Sequence, residues 1–315
     1  MKTIDAANGR WREILPALGI PSQFLSGKHQ PCLLCGGKDR ARFTDLDGRG
    51  SYFCNQCGAG TGMQLLMKFK NWDFAKAASE VDAVIGKLPK VKPRFDLRHK
   101  ATAHEMNALW NSGQQVKPDD PAGRYLAKRG LMVTRDMATA LRFVPRLKYS
   151  KDIERPGMIA KFSDASGHAK QIHRTYLTAD GDKADLDPNR KFMPGDLPKG
   201  GAIRFGLPGH TMGVAEGIET ALSAMVLYHM PVWATTSALM LREWQAPLTV
   251  ARIVVFADSD ANFCGEAAAF ALANKLVLDA QKRGIPRDVD VKVPEGRGKD
   301  WNDILQEQNH ARTTH

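Results

Sequence analysis

The sequence predicts an α/β protein: a C-terminal parallel sheet flanked by helices, preceded by a basic α+β segment and a small cysteine-rich module. Three observations predict this division. From Thr211 onward, short apolar segments alternate with helical patterns, which is typical of parallel β-α units. Two Cys-x-x-Cys pairs lie close together near the N-terminus. The segment from Gly86 to Arg204 carries 24 Lys and Arg against 13 Asp and Glu, so it holds the whole formal charge of +11.

These shifts in composition divide the 315 residues into four parts: 1–85, a basic linker at 86–100, a basic segment at 101–204 and the α/β part at 205–315. The linker contains Pro89, Pro93 and six basic residues. The N-terminus lacks an apolar signal region, and no apolar run approaches the roughly 18 residues of a membrane span. We therefore expect a cytoplasmic protein without a membrane partner.

The cysteine pairs Cys32-Leu-Leu-Cys35 and Cys54-Asn-Gln-Cys57 are separated by 18 residues. Two such turns at this spacing are typical of a structural zinc ribbon, in which four thiolates bind one Zn²⁺. An alternative ligand set replaces Cys32 by His29. The short aromatic segments between the pairs would form the strands of the ribbon.

The strongest chemical signal in the α/β part follows the buried strand predicted at Ile253–Ala257. Asp258 and Asp260 come directly after it, where the carboxyl ends of strands bind ligands in open α/β sheets. Two carboxylates this close repel each other unless a cation lies between them, and oxygen ligands suit Mg²⁺. Taken alone, the Asp-Ser-Asp triplet favours a turn that caps the next helix over a metal site.

Two further acidic clusters favour the metal site. Glu216 follows the strand predicted at Thr211–Ala215, and Lys299-Asp300-Trp301-Asn302-Asp303 follows the strand predicted at Val289–Val293. Because strand ends of a parallel sheet meet at one edge, these acids should lie together. The sequence predicts a site for Mg²⁺ or Mn²⁺ there.

The order Glu-Gly, Asp-x-Asp and Lys-Asp-x-Asn-Asp resembles the Toprim domain of bacterial-type primases, topoisomerases and some nucleases. This resemblance covers about the last third of the chain. Together with the cysteine pairs, the whole chain resembles the zinc-containing primases of phages, satellite phages and conjugative plasmids, without their helicase part. The fold implied is a Toprim parallel sheet after a basic primase subdomain and a zinc ribbon.

The resemblance implies a DNA primase that makes short RNA primers on single-stranded DNA from ribonucleoside triphosphates. The catalytic residues it implies are Glu216, Asp258, Asp260 and Asp300. The first three of these would bind Mg²⁺. Glu219 and Asp300 are candidates for a second metal ion or for the orientation of water molecules, with Asp303 behind them. The family has an acid four residues after the first Glu, where this chain has Thr220; its nearest acid there is Glu219.

The basic segment resembles the subdomain that precedes Toprim in these primases, through the phrases Tyr-Leu-x-x-Arg-Gly and His-Arg-Thr-Tyr-Leu. It would hold the template–primer duplex and the incoming triphosphate, with Arg174 and Lys191 bracing the latter. The candidate nucleic-acid and nucleotide ligands are Lys128, Arg129, Lys161, His173, Arg174 and Lys191. Each could equally be an ordinary surface residue. No Walker motif is present, so a replicative helicase would act as a separate partner.

Two other classes remain open. Recombination mediators combine a cysteine zinc finger with Toprim and catalyse nothing, but they lack a long basic segment between the modules. Toprim nucleases usually lack an N-terminal zinc ribbon. A topoisomerase is the weakest alternative, because large strand-passage domains are absent.

Overall fold

The computed structural model describes residues 3–88 and 100–313. It divides the chain into two compact units, which meet in sequence between residues 99 and 100. The basic linker expected at 86–100 falls largely on residues 89–99, which lie outside the described residues. Among the helices that the structure describes, none is long and apolar enough to cross a membrane.

Within residues 3–88, the N-terminal unit contains four α-helices and four strands. The helices are α1 (Thr3–Ala7), α2 (Trp11–Ala17), α3 (Gly62–Lys70) and α4 (Phe74–Ile85). The strands are β1 (Gln30–Cys32), β2 (Gly36–Phe43), β3 (Tyr52–Cys54) and β4 (Gly58–Gly60). They form an antiparallel sheet in the order β1-β2-β3-β4. Trp11, Phe43 and Tyr52 are at most 2% exposed and form part of its core.

The hydrophobic periodicity of Ile4–Leu18 predicts one helix, but the structure divides this segment into α1 and α2. Gly9 lies at the break with a φ of +76°, a left-handed conformation that glycine adopts without strain. Its amide donates a 2.6 Å hydrogen bond to the carbonyl of Gly48. This tertiary contact replaces a helical hydrogen bond, which the hydrophobic periodicity of the segment cannot show.

The C-terminal unit contains seven helices and nine strands in the described residues. Its helices are α5 (Ala103–Ser112), α6 (Pro121–Ala127), α7 (Arg135–Ala140), α8 (Ile218–Tyr228), α9 (Ala238–Glu243), α10 (Cys264–Arg283) and α11 (Trp301–Thr313). Its strands are β5 (Leu141–Lys148), β6 (Glu154–Ser163), β7 (Ala169–Tyr176), β8 (Arg190–Phe192), β9 (Ala202–Ile203), β10 (Thr211–Ala215), β11 (Val232–Ala234), β12 (Arg252–Phe256) and β13 (Asp288–Lys292).

All nine strands form one mixed sheet in the order β13-β12-β10-β11-β9-β6-β7-β8, with β5 paired to β6. The strands β10 to β13 are parallel to one another. Helices α8 and α11 pack on one face of this parallel part, and α9 and α10 pack on the other. The prediction of a C-terminal parallel sheet flanked by helices is confirmed.

The short strand β9 joins the antiparallel and parallel halves of the sheet. Ile203 pairs with Phe162 of β6 on one side and with Ala234 of β11 on the other, both antiparallel. The sheet therefore continues across the boundary expected between residues 204 and 205. The division of residues 100–315 into two domains stays a prediction.

Candidate functional site

The four paired cysteines converge at the tips of the two N-terminal hairpins. Their Sγ atoms all lie within 4.8 Å of one another. The Sγ atoms of Cys32 and Cys57 are 4.0 Å apart, and those of Cys35 and Cys54 are 3.6 Å apart. Thiolates around a tetrahedral Zn²⁺ at about 2.3 Å from the metal are roughly 3.8 Å apart. The cluster therefore has the dimensions of a four-cysteine zinc site.

Backbone amides of each turn point at the sulfur atoms. The amide of Leu34 donates to Cys32 Sγ, and the amides of Gln56 and Cys57 donate to Cys54 Sγ, each at 3.4 Å. Such N–H donors stabilise thiolates rather than neutral thiols. Gly36 and Gly58 take positive φ angles of 69° and 84° directly after the turns, which lets the chain reverse there without strain.

The chemistry of the donor set fits a bound cation. Burial and the neighbouring thiols raise the pKa of Cys54 to about 11, so a cation is needed to hold this group as a thiolate near neutral pH. The Tyr52 hydroxyl is buried and has no hydrogen-bond partner among the described residues. Burial, and then the charges of the four cysteines, raise its pKa to about 12. The Tyr52 hydroxyl therefore stays protonated and can donate a hydrogen bond to a thiolate.

His29 does not join this cluster. Its Nδ1 lies 2.8 Å from the carbonyl oxygen of Asp39. Among the described residues, the ligand atoms that come together are the four sulfur atoms. The structure therefore assembles the four-cysteine set and not the alternative with His29 in place of Cys32.

The acidic candidates of the C-terminal unit lie at one edge of the parallel sheet. Glu216 follows β10 and Asp258 follows β12, and these strands pair in register from Thr211 opposite Arg252 to Ala215 opposite Phe256. Burial, and then the charges on Glu216, Asp300 and Asp260, raise the pKa of Asp258 well above its ordinary range. The pairing of β10 with β12 thus places Glu216 beside Asp258, and Asp300 and Asp260 are near enough for their charges to act on Asp258.

Specific donors hold two of these acids in place. The Thr220 hydroxyl, at the first turn of α8, donates to Asp258 Oδ1 over 3.1 Å. The amide of Gly265, at the start of α10, donates to Asp260 Oδ2 over 2.9 Å. Asp260 therefore does cap the following helix, as the turn interpretation expects, while it also lies beside Asp258. The turn interpretation of the Asp-Ser-Asp triplet therefore holds for Asp260, and its metal-site interpretation stays a prediction.

The Lys-Asp-x-Asn-Asp segment brings the third strand end to the site. Asp300 Oδ1 accepts hydrogen bonds from the amides of Asn302 and Asp303 at 2.7 and 3.0 Å, so it caps α11. Trp301 Nε1 donates to the carbonyl of Ala257, directly before Asp258. Asn302 Nδ2 donates to the carbonyl of Arg129 and to Ser223 Oγ of α8. The motif thus connects β12, α8 and the end of α6, a structural role that its sequence did not reveal.

Carboxylates at one edge of a sheet offer the oxygen ligands that Mg²⁺ or Mn²⁺ prefer. Among the described residues their ligand atoms do not form a group as tight as that of the cysteines. Thr220 occupies one oxygen of Asp258, and the helix caps occupy one oxygen each of Asp260 and Asp300. Each of these three acids thus keeps a second oxygen that these contacts do not use.

Glu219 is near enough to Asp300 for its charge to act on that carboxylate, but its own contacts are made in a buried cationic environment. Its Oε1 accepts a hydrogen bond from the Tyr125 hydroxyl and lies 3.7 Å from Lys183 Nζ, and its Oε2 lies 3.7 Å from Arg190 Nη1. Burial opposes its ionisation, but Arg190, Lys183 and the tyrosine outweigh burial and lower the pKa of Glu219 to about 2.

Three of the six basic candidates make contacts within the sheet. Arg174 donates to the carbonyls of Lys148 and Phe192. Lys191 Nζ donates to the carbonyl of Tyr149 and lies 3.5 Å from the centre of its ring. Burial, then the charge of Arg190, lower the pKa of His173 to about 3, so its buried imidazole is neutral.

The other three candidates also have protein partners. Lys128 Nζ pairs with Asp182 at 2.7 Å. Lys161 Nζ lies 4.4 Å from the centre of the Trp110 ring. Arg129 stacks over the Tyr125 ring at 3.8 Å, which places it near Glu219 and Lys183. Of the six, Arg129 is the candidate that these contacts bring closest to the acidic edge.

Sequence reasoning missed Lys183 and Arg190, the cations nearest to Glu219. Lys183 is also close enough to Asp300 for that carboxylate to raise its pKa, although burial dominates and the net effect is a lowering. Arg190 is adjacent to Lys191 in sequence, but successive side chains of a strand point to opposite faces. Which face of the sheet packs against α8 depends on the tertiary structure. No local sequence pattern therefore indicated that Lys183 and Arg190 would lie near Glu219.

Three segments of the chain match known protein families. Residues 27–63 match the zinc-binding domain of primase-helicase, and residues 211–311 match the Toprim domain. Residues 100–205 match a domain of unknown function, DUF7146. The first two matches confirm the resemblance predicted from the sequence.

Solved primase structures are also similar. The zinc-binding and RNA polymerase domains of the Aquifex aeolicus primase share 15% identity, with 99% of this chain and 84% of that chain covered and a TM-score of 0.44. The primase fragment of the bacteriophage T7 primase-helicase shares 18% identity over 90% and 96% of the two chains, with a TM-score of 0.37. A primase domain from Pseudomonas aeruginosa shares 16% identity over 67% and 77%, with a TM-score of 0.43.

At these TM-scores the identification depends on the family matches. A four-cysteine zinc site lies within the matched zinc-binding segment, and the acidic strand ends lie within the matched Toprim segment. The chain thus has the domain composition of a Toprim-type DNA primase with an N-terminal zinc-binding domain.

Proposed function

We propose that this protein synthesises short RNA primers on single-stranded DNA for the replication of a phage or plasmid. The observation that carries the proposal is the meeting of Glu216, Asp258, Asp260 and Asp300 at one edge of the parallel sheet. The matched zinc-binding and Toprim segments support it, because both families are named for or found in primases.

In this proposal Glu216, Asp258 and Asp260 hold one or two Mg²⁺ or Mn²⁺ ions, and Asp300 lies beside them. Metal ions bound there would offset the negative charge of the triphosphate and of the attacking 3′-hydroxyl. Thr220 fixes the orientation of Asp258, and the amide of Gly265 fixes Asp260. Both acids are thereby oriented before a ligand arrives, which reduces the reorganisation needed in the reaction.

The cations beside the acidic edge bind the triphosphate in this proposal. Lys183, Arg190 and Arg129 cluster around Glu219, and Lys183 also lies near Asp300. This arrangement favours Lys183 and Arg190 as triphosphate ligands over Arg174 and Lys191, whose side chains donate to carbonyls of the sheet and its loops.

The zinc ribbon binds the single-stranded template in this proposal. Lys38, Arg40 and Arg42 lie along β2, next to the cysteine turns. Basic side chains in such a row are typical of proteins that contact the phosphates of single-stranded nucleic acid. Phe43 and Tyr52 are each 1% exposed and belong to the core of the ribbon, so they do not stack on bases. The matched zinc-binding family is named for primase-helicases, and we expect a separate replicative helicase as partner.

The test is incubation of the full chain with single-stranded DNA, labelled ribonucleoside triphosphates and Mg²⁺. Short RNA products that disappear in Asp258→Ala would support primer synthesis. Binding of DNA without products would instead support a recombination mediator. Shortened DNA would support a nuclease. Either of the last two results would overturn the proposal.

A further inference from the structure

Glu219 is separated from Glu216 by less than one helical turn, yet its contacts are of a different kind. It is 9% exposed and lies on α8, facing the antiparallel half of the sheet. Both of its oxygens are in use: Oε1 by Tyr125 and Lys183, Oε2 by Arg190. A carboxylate with these partners is a counter-ion to two cations and a poor candidate for a second metal ligand.

The two cations come from the basic half of the unit. Lys183 lies in the loop between β7 and β8 and forms an isolated bridge with Leu177. Arg190 begins β8, paired with Thr175. Tyr125, from α6, is fully buried. Glu219 is therefore the group through which the Toprim helix contacts three separate elements of the basic segment.

The cations differ from Glu219 in exposure. The side chain of Glu219 is 12% exposed, whereas those of Lys183 and Arg190 are 34% and 47% exposed. The buried carboxylate of Glu219 thus contacts the Lys183 and Arg190 side chains, and part of each of these two side chains remains exposed to solvent. Lys183 has Asp300 as a further acidic neighbour. Without Glu219, the attraction of that carboxylate would draw the ammonium group toward the metal-binding acids.

We propose that Glu219 is a positioning residue, which holds Lys183 and Arg190 at the rim of the acidic edge so that they bind the triphosphate of the incoming nucleotide. This inference depends on the function proposed above. It replaces the expectation that Glu219 binds a second metal ion. The ligand that these cations would bind is a nucleoside triphosphate, because their positive charges offset part of its negative charge.

The decisive variant is Glu219→Gln, which keeps the shape and can still accept from the Tyr125 hydroxyl. Its affinity for Mn²⁺ without nucleotide is measured by electron paramagnetic resonance. Its affinity for a fluorescent, non-hydrolysable ribonucleoside triphosphate is measured by anisotropy. We expect the Mn²⁺ affinity to stay within about twofold and the triphosphate affinity to fall roughly tenfold, equivalent to one lost charge contact.

Two control variants define the scale. Glu307→Gln removes the carboxylate of an exposed ion pair with Lys299 on α11 and should change neither affinity. Glu216→Gln removes a proposed metal ligand and should weaken Mn²⁺ binding. A Glu219→Gln chain that behaves like Glu216→Gln, with weakened Mn²⁺ binding and unchanged triphosphate binding, would overturn the proposal.

Kinetics and double substitution separate positioning from a general loss of structure. In primer synthesis, Glu219→Gln should raise KM for nucleotide more than it lowers kcat, and Glu219→Asp should recover part of the loss. Arg190→Gln should weaken triphosphate binding, and its combination with Glu219→Gln should lose less than the sum of the two single losses, because Glu219 acts partly through Arg190. Fully additive losses would contradict the inference.

The binding measurements do not require catalysis. If Glu219→Gln fails to fold, Lys183→Gln and Arg190→Gln in the otherwise unchanged chain carry the test, and unchanged triphosphate affinity in both would refute the positioning role. If the unaltered protein makes no primers, the proposed function fails while these affinities still decide the role of Glu219.

Discussion

The zinc site and the acidic edge both suit metal ions but are assembled in opposite ways. The four thiols come from two hairpin turns, and their sulfur atoms lie within 4.8 Å of one another. The carboxylates come from three loops at the ends of distant segments and are held by helix amides and Thr220. Local turns thus build the first site, whereas pairing of β10 with β12 builds the second. This contrast predicts which substitutions unfold part of the protein and which abolish catalysis without unfolding it.

The largest effect is expected for Cys54→Ser. A structural zinc site contributes on the order of 10–16 kcal/mol of binding free energy to small zinc-dependent folds, and the described sheet of the N-terminal unit is small, with four strands. We expect loss of bound zinc and unfolding of that unit, measured by metal analysis and circular dichroism. Cys264→Ser is the matched control, since this thiol lies at the start of α10 in the other unit. Retained zinc and structure in Cys54→Ser would contradict the four-cysteine assignment.

The next effect concerns catalysis without unfolding. Asp260→Asn keeps an oxygen that can accept from the Gly265 amide, so the cap of α10 survives while the charge is lost. We expect primer synthesis to fall on the order of 10³-fold, equivalent to roughly 4 kcal/mol in the activation barrier. Melting temperature and template binding should stay unchanged. Activity near that of the unaltered chain would mean that Asp260 acts as a helix cap alone.

A smaller effect is expected at Thr220, which occupies the position of an acid in the resembling family. Thr220→Val removes the donor to Asp258 Oδ1. A hydrogen bond to a charged group contributes about 1.5–3 kcal/mol, so we expect at least a roughly tenfold loss of kcat. Thr220→Ser retains the hydroxyl and should restore most of the rate. Equal rates in the valine and serine variants would show that the hydroxyl is unimportant.

The smallest effect is on stability without metal. Burial, and then Glu216, raise the pKa of Asp258 above 3.8, so folding favours its protonated form. Its contribution to stability is present below pH 3.8 and is lost as the pH rises through the raised pKa. Asp258→Asn lacks this titration and should melt a few degrees higher than the unaltered chain at neutral pH. Thermal melts across pH, with and without Mg²⁺, check this; a lower melting temperature for the variant would contradict it.

Much of the fold could be predicted because it depends on local pattern. The buried run Ile253–Ala257 and the spacing of the cysteines led directly to β12 and to the thiol cluster. The sequence pattern of Phe74–Ile85 predicts a helix, and α4 has these bounds. The roles of Lys183 and Arg190 could not be predicted, because they depend on how the antiparallel strands pack against α8.

The carboxylate edge lies between these cases. The rule that the carboxyl ends of parallel strands meet at one edge predicted that Glu216, Asp258 and Asp300 lie near one another. It could not predict that Asn302 would connect α8 to the backbone of Arg129, since those residues are far apart in sequence. Side-chain bonds between distant elements leave no periodic signal.

The two-residue strand β9 also limits which fragments of the C-terminal unit can be expressed separately. It is the only partner of β11 on the side away from β10 among the described residues. A fragment beginning at residue 205 would leave the backbone groups of Val232–Ala234 open along that side. Open strand edges recruit other chains and promote aggregation. Soluble fragments for isolated study should therefore begin near residue 100 and keep the whole sheet.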